Sequence, residues 1–319
     1  MKNILKTFIV IILASSFLNA ASDGTSGFAF LKIPAGSSRI MGLGNNGVSL
    51  ANSVEAMNIN PAGVAFAQMK EISFSLVNWF EDYKGKYISY VEPHGTNVFG
   101  VNIGYFSTDG FDIRDVDGVP LNAENVKFKN MFGSISFAKS FFMERFAIGF
   151  SAKYVSEDRY ETKDNAIVYD AGAVLKISRK IALGFSQQNI SGDQKKVVGL
   201  TRYGISITPS SYLTIVGDSK KYSDTKGKWG VGFEFSLPEE LLQYGRFVFR
   251  AGYNDSIDYG KNYDDSMLDK LGLDQTSGWS FGIGVYSASS FGKTYAIEYS
   301  MMPYGELGKT SQITFKFQF

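Results

Sequence analysis

Glycine spacing gives the first hint of chemistry in this 319-residue chain. Gly42, Gly44 and Gly47 form a G-x-G-x-x-G string, which in dinucleotide-binding folds follows a strand and opens a long helix. Here no strand pattern precedes the string, and only a short helix is predicted after it. We therefore do not expect a dinucleotide site. Glycines that allow tight packing of an irregular segment are the favoured interpretation.

The only histidine, His94, lies in a predicted turn that reads Glu92-Pro93-His94-Gly95. A serine triad or a histidine metal site needs partner side chains held close to the imidazole by other elements. We expect His94 to be an exposed turn residue rather than a catalytic base.

An acidic loop at residues 107–127 partly matches a calcium-binding loop. With Gly118 as position six, Asp115, Asp117 and Glu124 occupy positions three, five and twelve of such a loop. Position one, however, is Ile113 and not an acid. A solvated acidic loop is expected, and a bound calcium ion is the alternative. The sequence thus predicts no catalytic residue, no cofactor and no metal site.

The composition limits the classes of protein to which the chain can belong. The chain has no cysteine, which excludes a disulfide scaffold and cysteine chemistry, and its formal net charge of +1 gives no reason to expect a nucleic-acid partner. It contains 27 Phe, 18 Tyr and 34 Gly, and 44% of its residues are hydrophobic. Many rings beside many small residues are typical of a barrel with an apolar outside and a crowded inside.

The first 20 residues have the pattern of a secretory signal peptide. Lys2 and Lys6 precede a short apolar run at residues 8–13, and small residues lead to Ala20. The apolar run is too short to span a bilayer as a helix. We predict cleavage after Ala20, with Ala21 as the alternative, and export of the mature chain.

From residue 70 onwards the hydrophobic pattern has a period of two, which indicates strands and excludes helices. The last segment, residues 312–319, shows it best: apolar residues at odd positions alternate with Thr314, Lys316 and Gln318. Fourteen such segments are predicted. Charged residues of both signs fall on the face that we predict to line the lumen: Lys153, Asp170, Arg202, Glu234, Arg250, Glu298 and Lys316.

Strand number and connection lengths predict the architecture. An even number of strands is usual for single-chain bacterial barrels, and short connections alternate with long polar ones, such as residues 107–127, 156–165 and 254–277. A single strand of this kind could also belong to a soluble sandwich, but a sandwich gives no reason for that alternation. The sequence predicts an all-β, closed antiparallel transmembrane β-barrel in a bacterial outer membrane, with both termini periplasmic.

Several motifs resemble a known family. They are Phe30-Leu31-Lys32-Ile33, the glycine string and Asn60-Pro61-Ala62-Gly63, followed in order by residues 145–154, 183–189 and 306–310. In this order they resemble the PorV/PorQ (UPF0164) family of FadL-like outer-membrane barrels. The resemblance implies a 14-stranded barrel, residues 70–319, whose lumen is filled by a plug, residues 21–69. The residues it places in the plug and its link to the barrel are Gly42, Gly44, Gly47, Asn60, Pro61 and Ala62.

The chain end also carries a resemblance. Phe315, Phe317 and Phe319 resemble the last-strand signal by which the barrel-assembly machinery recognises outer-membrane barrels. The partners implied are therefore this machinery and outer-membrane lipid.

Two functions follow from the family resemblance. One is passage or carriage of small hydrophobic molecules across the outer membrane. The other is a component of a type IX-like secretion or surface-attachment system that handles exported proteins, with the loops at 107–127 and 254–277 as docking surfaces. The residues themselves leave this choice open.

Overall fold

The fold is taken from a computed structural model. The residues that the structure describes are 27–33, 36–79, 82–108, 114, 117–119, 127–159, 162–191, 197–225, 227–237, 245–255, 278–287, 292–304 and 309–319. The predicted signal peptide, most of the acidic loop at 107–127 and most of the loop at 254–277 lie outside them.

A continuous antiparallel sheet closes on itself, so the predicted 14-stranded barrel is confirmed. Each strand pairs with its sequence neighbours, and β1 pairs with β14 with Ile72 opposite Phe317 and Phe74 opposite Phe315. Closure satisfies the backbone hydrogen-bonding groups that an open edge would leave unpaired. The strands are β1 Glu71–Asn78, β2 Lys84–His94, β3 Asn97–Ser107, β4 Lys129–Phe141, β5 Phe146–Arg159, β6 Thr162–Lys176, β7 Ile181–Ile190, β8 Leu200–Ser210, β9 Leu213–Tyr222, β10 Lys228–Leu237, β11 Gly245–Asn254, β12 Trp279–Ser287, β13 Thr294–Pro303 and β14 Lys309–Gln318.

Side chains alternate between the two faces of the wall, as the period of two predicts. Apolar side chains such as Ile135, Phe150 and Ile283 are exposed on the outer face. Small and polar side chains such as Ser136 and Ser151 are buried on the inner face, where their hydroxyls lie 2.7 Å apart. An apolar outside and a polar inside are what a barrel in lipid requires.

The two ends of the barrel differ in their connections. We call the end that carries the connections at 108–128 and 255–278 the long-loop end, and the end that carries those at 95–96 and 211–212 the short-turn end. The predicted loop at 156–165 is wrong, because β5 and β6 continue to Arg159 and Thr162. Strand pairing continues there without apolar side chains, since backbone hydrogen bonds hold the hairpin and charged residues suit a solvated extension.

The N-terminal segment, residues 27–70, contains only short helices and precedes β1. Two are α-helices, Ser38–Gly42 and Ser53–Ala56, and two are 3-10 helices, Ala29–Lys32 and Pro61–Phe66. Most residues between 37 and 65 are buried. Within the described part of the chain, no helix combines the length and the apolar character needed to cross a bilayer.

The N-terminal segment runs from one end of the barrel to the other. Phe28 and Phe30 pack with Phe106 and Val155, at the long-loop end of β3 and β5. Val64 and Ala65 belong to a cluster that includes Val98, Ala138 and Val174, at the short-turn end. Phe319, at the C-terminus, lies at the short-turn end and donates its N–H to the carbonyl of Lys70.

Candidate functional site

Charged side chains of the N-terminal segment and the barrel wall form a closed ring, which we call the ion ring. Arg39 binds Glu234 through Nε and Nη2, at 2.7 and 2.8 Å, and also contacts Glu55 at 3.2 Å. Glu55 pairs with Lys316, and Lys316 Nζ lies 2.9 Å from Glu298 Oε2. Arg250 completes the ring, since its guanidinium lies 3.0 Å from Glu298 and 2.8 Å from Glu234.

The composition of the ion ring makes its burial tolerable. Three cations face three carboxylates, so the ring is neutral, and the two-point contact between Arg39 and Glu234 is the strong form of such a pair. Burial alone would lower the pKa of Arg39, but the carboxylates of Glu234 and Glu55 raise it well above its ordinary value. The guanidinium therefore stays charged, and each charge in the ring depends on its neighbours.

Glycines of β12 make room for the ion ring. Arg250 on β11 stands opposite Gly282 and reaches across β12 to Glu298 on β13. A Cβ at Gly284 would lie 3.0 Å from Arg250 Nη1, and one at Gly282 would lie 3.4 Å from Arg250 Cβ. The small residues at the inward positions of β12, Ser280, Gly282 and Gly284, are therefore the condition for this crossing.

Four of the seven charges predicted to face the lumen meet in the ion ring: Glu234, Arg250, Glu298 and Lys316. Sequence reasoning missed their two partners, Arg39 and Glu55. A signal was present, because these are the only charged residues between residues 33 and 69. Two opposite charges in an otherwise neutral, buried segment require partners on the wall around them.

The backbone of the glycine string is held by a second group of wall side chains. Asp218 accepts hydrogen bonds from the N–H groups of Gly47 and Val48, at 2.7 and 3.0 Å. Arg202 Nη1 donates to the carbonyl of Asn45 at 2.9 Å, and Lys220 Nζ donates to the carbonyl of Gly44 at 3.2 Å. Gly44 has a φ of 74°, a conformation that favours glycine. The string is thus a packed turn bound by the wall, as its sequence suggested.

Asn60, Pro61 and Ala62 anchor the segment near the short-turn end. Asn60 Oδ1 accepts from the N–H of Ala62 at 3.1 Å and caps the 3-10 helix Pro61–Phe66. Its Nδ2 donates to the carbonyls of Val48 and Ala173, at 2.8 and 3.2 Å. One side chain therefore links the helix, the glycine-rich turn and β6.

Substituting Gly149 with alanine tests the fit between this anchor and the wall. A Cβ at Gly149 would overlap the backbone of Pro61. We expect Gly149→Ala to lower the free energy of unfolding by about 1–3 kcal/mol, the usual cost of overpacking. Urea unfolding of the barrel in detergent measures this. Gly133→Ala on β4 is the control, because nothing lies within 4 Å of the added Cβ, and equal effects of both changes would contradict the close packing.

A small cavity, partly open to solvent, lies between the N-terminal segment and the wall near the long-loop end. Lys153 lines it and is held in place by Asp170 at 3.0 Å and by Asn189 Oδ1 at 3.1 Å. The remaining predicted lumen charge, Arg202, lines it too. The other lining residues are Phe30, Leu31, Ile33, Asn58, Tyr87, Phe132, Gln188, Asn189 and Leu200.

The 3-10 helix Ala29–Lys32 contributes to the wall of this cavity and is tied to the barrel on both sides. The N–H of Phe28 donates to Glu157 on β5 at 3.2 Å. Lys32 Nζ lies 2.7 Å from Asp224, just after β9. These two contacts fix the apolar side chains of Phe30 and Leu31 over the cavity.

The residues considered in the sequence for catalysis or metal binding lie outside the ion ring and the cavity. His94 is 59% exposed at the end of β2, and its Nε2 lies 3.7 Å from Glu92. Asp115 and Glu124 of the calcium-like loop lie outside the described residues. Among the residues that are described, no group of three or more His, Asp or Glu side chains could hold a metal ion.

A family model covers the N-terminal segment, strands β1 to β4 and most of β5. The model, described as "Uncharacterised protein family (UPF0164)", matches residues 14–155, just under half of the chain. This stretch resembles UPF0164. The match confirms the resemblance predicted from the motifs, and it contains Arg39, Glu55 and the Asn60 anchor. The UPF0164 match ends within β5, so the ion-ring residues Glu234, Arg250, Glu298 and Lys316 lie beyond it. Comparison with curated protein sequences gives no significant match.

Solved structures establish the type of barrel. The Pseudomonas putida toluene transporter TodX is 10% identical over 94% of this chain and 99% of its own, with a TM-score of 0.56. The Ralstonia pickettii toluene transporter TbuX is 12% identical over 95% and 98%, with a TM-score of 0.54. A Pseudomonas aeruginosa FadL homologue is 11% identical over 90% and 98%, with a TM-score of 0.51. At these identities the comparison establishes a FadL-like fold.

Proposed function

We propose that the protein is an outer-membrane barrel that carries small hydrophobic compounds, with the N-terminal segment as a plug. The apolar part of the cavity carries this proposal. Phe30, Leu31, Tyr87, Phe132 and Leu200 give the cavity an apolar surface beside its polar lining residues.

The outer-membrane location is part of the same proposal. It is supported by the apolar outer face, by the FadL-like fold and by the predicted signal peptide at residues 1–20. We place the short-turn end and Phe319 on the periplasmic side, where barrels of this class have their short turns. Phe315 and Phe319 are exposed on the outer face, and Phe317 stacks on Tyr295 at 4.8 Å. This position fits an assembly signal read from outside the barrel.

Contacts on opposite sides of the wall support the plug. The segment binds Thr314 on β14 through Ser38, and it binds Ser186 on β7 through the carbonyl of Ile59. These strands are seven positions apart in a closed ring of fourteen, so the segment bridges the lumen. The proposal assigns the chain no catalytic residue, cofactor or metal.

Filling the cavity should block carriage. Leu200 is buried and lines the cavity, so Leu200→Trp places an indole where the ligand would lie. We expect binding of an apolar fluorescent probe, and its uptake into liposomes that contain the barrel, to fall about tenfold, as expected for the loss of about 1.4 kcal/mol. Ile205→Trp, on the same strand but exposed on the outer face, is the control.

Two results would contradict the proposal. One is equal probe binding by the wild type and Leu200→Trp. The other is a wild-type barrel that neither binds nor passes any apolar compound in a panel that includes aromatic hydrocarbons and acyl chains.

The second candidate function is a PorV/PorQ-like role in handling secreted proteins, which the UPF0164 match favours. A barrel of this kind would bind a protein partner in stoichiometric amounts, through loops at the long-loop end. Cross-linking in native outer membranes, followed by purification, distinguishes the two candidates. A one-to-one protein complex supports the secretion role, and an isolated barrel that retains an apolar compound supports carriage.

A further inference from the structure

The turn between β4 and β5 presents apolar side chains at the short-turn end of the barrel. Phe142 is 66% exposed and Met143 is 99% exposed. Lys139 lies on the outer face of β4, two residues before the strand ends. Because a charge on this face costs little only near the surface of the bilayer, the turn lies beyond the acyl-chain region. The apolar band of the wall therefore does not explain these two side chains.

The backbone of this turn does not suit its sequence. Phe142, Met143 and Glu144 have φ values of 53°, 54° and 62°, in the left-handed region that favours Gly and Asn. The turn between β2 and β3 has the usual residue, since Gly95 adopts a φ of 63°. Bulky residues in this conformation are strained, and such strain is often found where a protein binds something. The two apolar side chains therefore need a reason other than the formation of the turn.

The turn between β6 and β7 lies beside the first turn. The carbonyl of Arg145 accepts the N–H of Lys176 at 2.8 Å, which holds the two turns next to each other. On the second turn, Ile177, Arg179 and Lys180 are exposed. We call the apolar and basic residues of the two turns the tip surface: Phe142, Met143, Arg145, Ile177, Arg179 and Lys180.

The charge of the tip surface is positive and is not balanced by the described residues. Glu144 is the one acid on the two turns, and it interacts electrostatically with Lys176. Lys180 Nζ donates to the carbonyl of Pro209 at 3.1 Å, which is a neutral acceptor. None of the three basic residues of the tip surface forms a salt bridge with an Asp or Glu that the structure describes. Three positive charges therefore lie beside the exposed apolar side chains.

The composition of the tip surface favours a protein partner over lipid. Aromatic residues, Met and Arg are enriched in the interfaces between proteins. The boundary between lipid and water prefers Trp and Tyr, and this barrel has such a row near the long-loop end, where Trp229, Tyr253 and Trp279 have ring centroids 5.4 Å apart. A protruding apolar tip fits a concave surface, and a basic rim fits an acidic one.

We propose that the tip surface binds a periplasmic protein that presents an apolar pocket with Asp and Glu side chains at its rim. Phe142 and Met143 enter the pocket, and the three basic residues pair with the acids. The tight turn holds both apolar side chains in position before binding, which lowers the entropic cost of association. The inference relies on the proposed orientation of the barrel and adds a partner at the end opposite the long loops.

Photo-cross-linking identifies the partner. The barrel is produced in its native cells with p-benzoylphenylalanine in place of Met143, irradiated and purified, and the joined peptides are identified by mass spectrometry. We expect one protein, joined at an apolar pocket that has acidic residues at its rim. The same probe in place of Thr96, which is exposed on the turn between β2 and β3, is the matched control and should give no adduct with this protein.

A variant that removes the apolar tip separates binding from folding. In Phe142→Asn/Met143→Gly, both new residues prefer the left-handed conformation, so the barrel should be at least as stable in urea as the wild type. Its binding of the purified partner, measured with the barrel in nanodiscs, should be about 30-fold weaker, the usual effect of truncating an interface hot spot. A barrel destabilised by this change would show that the two residues serve the turn, and would overturn the proposal.

A second variant tests the basic rim. Arg145→Gln/Arg179→Gln should weaken binding of the partner about fivefold and reduce its dependence on salt, as expected for two exposed ion pairs. Arg246→Gln/Lys293→Gln is the charge-matched control, because these exposed residues lie at the short-turn end on the far side of the barrel. It should bind like the wild type.

The remaining outcomes count against the proposal. Adducts with phospholipid only, adducts between two copies of the barrel, or no adduct would each overturn it, and so would a captured protein whose binding neither variant weakens. Since the chain has no cysteine, Met143→Cys provides a single thiol. Labelling of this thiol in intact cells by a membrane-impermeant maleimide would overturn the proposed orientation, and the periplasmic partner with it.

Discussion

Replacing Arg250 with methionine is expected to lower the free energy of unfolding of the barrel by about 3–5 kcal/mol, the cost of breaking a buried ion pair by removing one partner. Arg250 is buried and contacts the carboxylates of both Glu234 and Glu298, as well as the hydroxyl of Tyr286 at 2.9 Å. Without its guanidinium, three cations and three carboxylates become two cations and three carboxylates. The surplus negative charge is enclosed by the wall and the N-terminal segment, where water cannot solvate it.

Urea unfolding in detergent micelles, followed by tryptophan fluorescence and by the heat-dependent gel mobility of the barrel, measures this loss. Arg179→Met is the matched control, because Arg179 lies exposed in the connection between β6 and β7. An effect of Arg250→Met that is no larger than that of the control would show that the ion ring contributes little to stability.

Removing both charges of the N-terminal segment should instead release this segment, the proposed plug, and leave the barrel folded. In Arg39→Gln/Glu55→Gln, the wall keeps Glu234, Arg250, Glu298 and Lys316, which still balance each other. The segment loses every ionic contact that it makes with the ring. We therefore expect a smaller loss of stability than for Arg250→Met, together with an increase in permeability.

Liposome swelling with a small sugar, or single-channel conductance, measures the permeability of this variant. We expect an increase of at least about tenfold, because the loss of about 1.4 kcal/mol shifts a closed-to-open equilibrium by that factor. Glu144→Gln/Lys180→Gln provides the same change of charge at exposed positions of the short-turn end. A variant that is as impermeable as the control would show that packing and hydrogen bonds alone hold the N-terminal segment in place.

The wall of the barrel could be predicted from the sequence because lipid imposes a rule on every residue of a strand. Outward positions such as Phe315 and Ile283 must be apolar, and inward ones such as Thr314 need not be, so the period of two is visible without any knowledge of partners. The rule weakens beyond the membrane. Residues 156–159 and 162–165 are paired strands with polar side chains, and their composition is the same as that of a loop.

The interior could be predicted only in part. The alternation of side chains along a strand predicts that charges such as Arg250 and Glu298 point inward. It does not predict which of these charges form ion pairs. That depends on the barrel closing and on Gly282 and Gly284 leaving a path across β12. Arg39 lies in a segment without a periodic hydrophobic pattern. Its partner Glu234 on β10, 195 residues later, is therefore determined by the fold alone.

The seam between β1 and β14 has a consequence for the order of assembly. Ser38, near the start of the chain, donates its N–H to Thr314 on the strand that closes the barrel. This bond cannot form until the final strand is in place, so the segment completes its docking only when the seam is closed. Formation of the last strand pair and of the last contacts of the N-terminal segment are therefore coupled, and residues from the two ends of the sequence meet in one step of folding.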